Sequence, residues 1–472
     1  MTALVWYRRD LRVRDHEALF KACQQHEQVI AWFSITKDQF KKNNISDAQC
    51  DLIYFSLNHL KEELSKLNIP LLITNDCDYK GSVEQLKKII QKEKVSELYL
   101  NREDGIWEKE RDDSCRKLIQ SFNVFEDQCI LKPGTVLNGS GKMFSVFTPF
   151  KRKWMECVNI IELKEFKKPK KKDIMYSLKT KSLTLPKYED SQFKKWFKTE
   201  SQVHRLLNSF IAENLDDYEK NRDFPSIRGT SQLSPYLAVG SISVKQCYLR
   251  VMENINSKVI SKGAETWTSE LIWREFYKHL MEAFPRLSKN RNFTQKTETL
   301  NWNESEEDFQ KWCEGRTGVP LVDAAMRQLN TIGWMHNRLR MVTAMFLTKN
   351  LRVDWRKGEA YFMSKLIDGD FAANNGGWQW AASTGCDAQP WFRIFNPILQ
   401  SEKFDPEGKF IKKYLPSLEP LNKKQIHAPW VAFEKEPLSF PILLGKDYPN
   451  PIVSHKDQRE KALKMYDLKN VA

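Results

Sequence analysis

Four short apolar runs mark the first quarter of the chain: Ala3 to Tyr7, Val29 to Ile35, Pro70 to Thr74 and Glu97 to Leu100. Between them lie segments of helical periodicity, clearest from Asp47 to Leu67 and from Val83 to Glu93. Continuous apolar runs suit strands buried on both faces, and strands alternating with helices predict a parallel, doubly wound sheet over residues 1–130. The pattern weakens over residues 131–200, where the run Lys167-Lys-Pro-Lys-Lys-Lys172 interrupts it. This stretch reads as an inter-domain connector with a solvated basic face. Over residues 201–472 the segments lengthen and take helical periodicity, strongest in WTSELIWREFYKHLMEAF and VDAAMRQLNTIGWMHNRLRMVTAMFL. The expected architecture is therefore an α/β domain joined by a long connector to a mostly helical domain.

Composition narrows the class. At 472 residues the chain is long enough for two cores. Lys plus Arg exceed Asp plus Glu by 75 to 61, a net charge of +14 that favours an anionic polymer as partner. Nine cysteines show no CxxC spacing, and the N-terminus has no signal-peptide pattern, so a reducing, cytoplasmic setting is expected. No apolar run approaches a membrane span, and the eight histidines form no metal-ligand array; neither a membrane protein nor a metal site is expected. No GxGxxG follows the first strand, which argues against a dinucleotide there and leaves room for a smaller ligand at the strand ends.

Three places carry residues that a packing helix does not need. Glu270, Trp273, Arg274 and Tyr277 fall at i, i+3, i+4 and i+7, along one helix face. A surface stripe or an ion pair would also produce that face. Asn337, Arg338, Arg340 and Met341 repeat the anomaly just after Trp334 and His336. The segment Gly229-Thr-Ser-Gln-Leu-Ser234 puts hydroxyls and amides ahead of a helical run, which serves either as an N-cap or as a phosphate cradle. Densest of all is IDGDFAANNGGWQWAASTG, residues 367–385, with two carboxylates, two adjacent amides, four glycines and two tryptophans.

Taken together, LVWYRRDLRVRDHEAL, RDFPSIRGTSQLSPYLAVGSIS, ELIWREFYKHL, GRTGVPLVDAAMRQLNTIGWMHNRLRMVTAMFLTKNLRVDW, YFMSKLIDGDFAANNGGWQWAASTG and FRIFNP resemble the DNA photolyases of the photolyase/cryptochrome family. The likeness is to the bacterial, folate-antenna enzymes that act on cyclobutane pyrimidine dimers. It runs nearly end to end and in order. His16 departs from it, standing where the family more often has Asn.

The resemblance implies FAD, in its reduced form, held in a U shape by the helical domain. Tyr218 and the turn Thr230, Ser231, Gln232, Leu233 and Ser234 would hold the phosphate side. Trp267, Arg274 and Asn337 would line the cavity, and Arg340 would pair with Asp368. Gly369 would belong to the cofactor-binding set, Gly376 and Gly377 would let the backbone approach closely, and Asp370 would reach the ribose or the ring edge. Asn374 would sit against flavin N5, where an amide oxygen accepts a hydrogen without adding negative charge. Trp378, Trp355 and Trp302 would form an electron-hopping chain.

On the substrate side, a pyrimidine dimer must leave the duplex to reach a buried flavin, at a cost lowered by its poor pairing. Trp273 and Trp380 resemble the flat walls of its pocket, Glu270 and Asn337 the edge readers, and Tyr277 and Met341 further contacts. Arg222, Arg338, Arg393 and Gln400 match positions on the surrounding strand. The implied activity is light-dependent repair of cyclobutane pyrimidine dimers by electron transfer from excited reduced FAD to the flipped-out dimer, a lyase reaction acting as a monomer. The alternative is a cryptochrome-type blue-light sensor, against which stands the absence of a long extension after the family-like sequence. A second chromophore, methenyltetrahydrofolate, is implied by Glu108 and Lys289, although Trp107 replaces an Asn and Ser288 a Cys of that pattern.

Overall fold

The computed structural model describes residues 2–255 and 260–467. By contacts it divides into two units, neither continuous in sequence. The first comprises Met1–Asp216, Ser231–Lys289 and Ile367–Ala372; the second comprises Asp217–Thr230, Asn290–Leu366 and Ala373–Ala472.

The first unit is built on a five-stranded sheet of β1 (Thr2–Tyr7), β2 (Gln28–Ile35), β3 (Leu71–Asn75), β4 (Val95–Asn101) and β5 (Ser121–Phe125), in the order β3-β2-β1-β4-β5. All four pairings are parallel. β1 is central and every one of its residues is buried, the reason its sequence runs apolar without alternation. The order reverses between β1 and β4, so the carboxyl ends of the strands open there into a crevice suited to a ligand. Side-chain caps start the flanking helices: His16 accepts from Leu19 N, Ser46 from Gln49 N and Asp78 from Gly81 N.

Two features differ from the sequence reading. β5 carries no apolar run because it is a half-exposed edge strand, so hydrophobic pattern alone passes over it. The basic run is not wholly solvated either. Lys168 pairs with Glu63 at 2.8 Å, and Lys172 is buried with its ammonium on the Cys23 carbonyl at 2.6 Å.

The same unit holds the long helix Lys262–Ala283, capped by Ser261. Glu275, fully buried on it, accepts from Leu131 N at 3.3 Å, from Trp154 Nε1 at 2.6 Å and from Ile130 N. One carboxylate thereby fastens residues 130–131 and the helix Phe147–Ile160 to this helix. Burial nonetheless pushes its pKa up to about 7.

The second unit is helical, its core formed by Pro320–Ile332, Asn337–Met345, Trp355–Lys365 and the C-terminal helices. Pro320 opens one helix at its first turn and Gly333, at φ 67°, closes it. The fully buried Asp323 stitches the unit together, accepting from Thr317 N and Oγ1, Gly318 N and Tyr448 OH.

Candidate active site

In the first unit, the face foreseen on helix Lys262–Ala283 is formed. Trp267 is buried against Phe210, while Glu270, Trp273, Arg274 and Tyr277 are half-buried. Trp273 stacks on Phe147 with centroids 3.7 Å apart and planes 8° from parallel. One indole face is therefore covered by a protein ring, which fixes the plane that the other face presents. Phe147 lies 126 residues away in sequence, and no local signal reveals it as the ring behind Trp273. Arg274 donates through Nη1 to the Gln128 carbonyl.

Nearby, the carboxylates of the Asp368 to Asp370 segment are engaged. Ser234 Oγ donates to Asp368 Oδ2 at 2.6 Å, which joins the hydroxyl turn to this segment. Gln49 Nε2 donates to the Gly369 carbonyl at 2.9 Å. Asp370 lies 3.2 Å from Lys278 Nζ, and that lysine also donates to Gln128 Oε1 at 2.8 Å and stands 3.5 Å from Asp104. Lys278 escaped sequence reading: one turn beyond Arg274, it counts as an ordinary polar helix residue until burial makes its charge costly and its two carboxylates necessary. Gln232 takes φ 53° in the turn, a strained value for a residue with a side chain.

At the strand ends of the first unit lies a cleft walled by Trp6, Phe33, Phe40 and Ile53 and carrying Arg8, Arg9, Glu103 and Arg111. Arg111 stacks over both Trp6 and Tyr79 at 4.9 Å. Close by, Tyr79 OH donates to Glu108 Oε1 at 2.6 Å, and the Glu108 carboxylate folds back over Gly105 into space that a Cβ would fill. Lys289 is exposed, and no ion pair joins it to Glu108 among the described residues. Trp107 is 47% exposed, and Ser288 Oγ approaches Met281 Sδ at 3.9 Å.

In the second unit, the amides of residues 374 and 375 hang on one residue. Asn374 Nδ2 donates to the Glu359 carbonyl at 3.0 Å, and Asn375 Nδ2 donates to Glu359 Oε1 at 2.9 Å. The chain continues from Gln379 Nε2 to Asn375 Oδ1 at 2.9 Å and from Phe293 N to Gln379 Oε1 at 2.8 Å. Burial pushes the Glu359 carboxyl up to about 7. With its nitrogen committed, Asn374 keeps Oδ1 as a fixed acceptor.

Of the three tryptophans, Trp355 and Trp378 belong to one buried cluster, and Trp302 packs at its margin. Trp355 Nε1 donates to Asn292 Oδ1 at 2.9 Å. Trp378 meets Phe362 edge-on at 4.9 Å and Trp312 at 6.0 Å, while Trp302 meets Tyr466 edge-on at 6.2 Å. No ring contact joins the three to one another among the described residues; each is held by its own neighbours. A Cβ on Gly358 would invade the Trp378 ring and lie 2.6 Å from Leu347 Cδ2. Gly358 is thus a site-building residue that only packing exposes.

The remaining sequence-predicted residues of this unit lie as follows. Tyr218 is buried beneath Arg222, whose guanidinium stands 5.4 Å from its ring. Thr230, Met341 and Trp380 are half-buried; Asn337 and Arg393 are exposed. Arg340 Nε donates to the Met335 carbonyl at 2.8 Å, and Arg338 Nη2 to Asp223 Oδ2 at 2.6 Å. Gln400 Oε1 is buried without a hydrogen-bond partner among the described residues.

The chain thus pairs an α/β unit, with a crevice at its strand ends, with a helical unit carrying a fixed amide acceptor and buried indoles. The family models agree: residues 3–170 match that of DNA photolyase and residues 267–468 that of the FAD binding domain of DNA photolyase. The chain belongs to the DNA photolyase family. It is 42% identical to a deoxyribodipyrimidine photo-lyase of Vibrio cholerae over 98% of each chain. Among solved structures it is similar to a class III photolyase of Agrobacterium tumefaciens, with TM-score 0.89 and 33% identity over 99% of this chain and 98% of that one. A Synechocystis cryptochrome is also similar, with TM-score 0.88 and 28% identity over 98% of this chain and 99% of that one.

Proposed function

We infer that the chain is a light-dependent lyase that repairs cyclobutane pyrimidine dimers in DNA. The observation that carries this reading is its identity to the Vibrio cholerae deoxyribodipyrimidine photo-lyase along nearly the whole of both chains. FAD, when bound in its reduced form, supplies an excited electron and recovers it, so the reaction has no net redox change.

The residues present fit that group. Asn374, with its nitrogen spent on the Glu359 carbonyl, offers an acceptor to the N–H of a reduced flavin while adding no charge beside it. Tyr218 and the turn from Thr230 to Ser234 serve the phosphates, with Trp267, Arg274, Asn337 and Arg340 around the body of the cofactor. Asp368, Gly369 and Asp370 serve the ribose and the ring edge, and Lys278 balances the charge of Asp370. Trp302, Trp355 and Trp378 deliver electrons from solvent.

Trp273, its plane set by Phe147 behind it, and Trp380 serve as flat walls for the extruded bases. Glu270 and Asn337 bond their polar edges, with Tyr277 and Met341 beside them. Arg222, Arg338, Arg393 and Gln400 hold the strand, arginines being suited to phosphate oxygens. The protein works as a cytoplasmic monomer, which size-exclusion chromatography checks.

An oligonucleotide carrying one thymine dimer tests the function. Reduced enzyme restores it under blue light and leaves it unchanged in the dark. An intact dimer after illumination of fully reduced enzyme would refute the reading and favour the sensor. The stretch beyond Asp467, where a sensor-type extension would begin, lies outside the described residues.

For the second chromophore, methenyltetrahydrofolate is proposed at Glu108 and Lys289. A second place is favoured by one observation: the Glu108 carboxylate is already taken by Tyr79, whereas the strand-end cleft offers the Trp6 ring with Arg111 stacked over it, the guanidinium being paired to Glu103 and Asp112. Folate added to the purified protein should yield a new absorbance band that drives repair. If that band survives Glu108→Ala and is lost on Arg111→Ala, the chromophore lies in the cleft.

A further inference from the structure

Arg338 is held in a conformation with an internal conflict. Its Nη2 donates to Asp223 Oδ2 at 2.6 Å and its guanidinium lies 4.4 Å over the Phe404 ring, yet its Nε–H is buried with no hydrogen-bond partner among the described residues. Phe224, next to Asp223, packs edge-on against the same ring at 6.4 Å. The other carboxylate oxygen, Asp223 Oδ1, lies 3.9 Å from Arg222 Nε. Asp223 is thus a carboxylate between Arg222 and Arg338, two of the three arginines of this unit that the proposed function puts on the DNA strand. It is not sealed in: its side chain is 31% exposed and that of Arg338 18%. His336, which caps the helix carrying Arg338, is buried and its imidazole pushed down to about 4, so at neutral pH it brings no charge to this group.

We propose that Asp223 is a specificity-determining residue that latches Arg338 when no lesion is bound, standing in for a strand phosphate. A carboxylate oxygen and a phosphate oxygen compete for the same guanidinium, and charge-assisted bonds to either have similar geometry. On undamaged duplex Arg338 stays with Asp223, and non-specific affinity is held down. On lesion DNA, contacts made by the extruded dimer offset the loss of the ion pair; Arg338 transfers to a phosphate, and its unpaired Nε–H escapes burial. The inference rests on the assignment of Arg338 to the DNA-facing surface.

Binding in the dark decides it, measured by fluorescence anisotropy on FAD-loaded protein with lesion-bearing and undamaged duplexes over a range of salt. Each phosphate contact contributes about 0.9 to the slope of log K against log salt. Arg338→Gln should lower the slope by about that amount on lesion DNA and leave it unchanged on undamaged DNA. Asp223→Asn should do the reverse, steepening the undamaged slope by a similar amount and tightening that binding several-fold, so that lesion preference narrows. Asp223→Glu should return both toward wild type, which a merely structural role would not produce. If Arg338→Gln flattens both duplexes equally, the latch is overturned while Arg338 remains a DNA contact. If it changes neither, the DNA assignment itself fails and the latch with it. Should Asp223→Asn not fold, Arg338→Gln and Asp223→Glu still decide between these outcomes.

Discussion

Replacing Glu359 by Gln should abolish a pH dependence of stability that the fold builds around this one side chain. Glu359 is 4% exposed and accepts a single amide bond, from Asn375. Burial, the largest cause, raises its carboxyl from the ordinary 4.5 to about 7; the Asn375 bond and Arg356 oppose that rise only in part. The folded state therefore holds a proton there between pH 4.5 and 7 that the unfolded state has lost. Stability must fall as pH rises through this window, because the native side binds more protons. The difference of roughly 2.5, at about 1.4 kcal/mol per pH unit, makes wild type about 3 kcal/mol less stable at pH 8 than at pH 4, from this group alone.

Gln keeps the shape and the oxygen that accepts from Asn375 and carries no charge at any of these pH values. Urea unfolding of wild type and Glu359→Gln from pH 4.5 to 8.5 isolates the effect, since Glu275, the other carboxyl raised to about 7, is common to both proteins. The two should be close at pH 4.5 and separate steadily, the variant being the more stable at pH 8.5 by about 3 kcal/mol, or about 1 M in urea midpoint for a slope near 3 kcal/mol/M. Asn374 hangs on the Glu359 backbone carbonyl and not on its side chain, so flavin binding should persist. Parallel curves for the two proteins across the whole range would refute the argument, showing that Glu359 is ionised and stabilised in the native state.

Trp302→Phe should stop photoreduction of oxidised FAD and leave repair by chemically reduced enzyme nearly intact, as followed by flavin absorbance and dimer loss; a joint fall would discredit the electron path. Gly358→Ala should cost about 1–3 kcal/mol by overpacking the Trp378 ring and Leu347, and should slow photoreduction as well. A variant as stable and as photoreducible as wild type would mean the ring is not fixed where the structure has it. Trp273→Ala should weaken lesion binding by about 1–3 kcal/mol with little effect on undamaged duplex, as measured by anisotropy. Equal losses on both would make Trp273 a general scaffold residue.

Long apolar runs and strong helical periodicity settled the architecture before any coordinates, because a central parallel strand such as β1 must be apolar on both faces wherever it sits. Chemistry was legible where incompatible residue types crowd together, as in residues 367–385 and along Glu270 to Tyr277, since such mixtures are costly in a core that does not use them. The edge strand β5 left no trace, because a half-exposed strand needs no apolar pattern.

The partners that hold the proposed site residues in place were equally silent. Phe147 behind Trp273, Lys278 beside Asp370, Glu359 under the two asparagines, Gly358 against Trp378 and Asp223 on Arg338 are ordinary residues in ordinary local contexts. Their roles arise from contacts across 15 to 126 positions of chain, and a hydrophobic period records only which way a side chain faces its own helix or strand. The sequence by itself determined the fold class and the residues proposed for the chemistry; tertiary packing decided which plane, which atom and which charge each of them presents, because burial and long-range contact create those constraints and neither exists until the chain has folded.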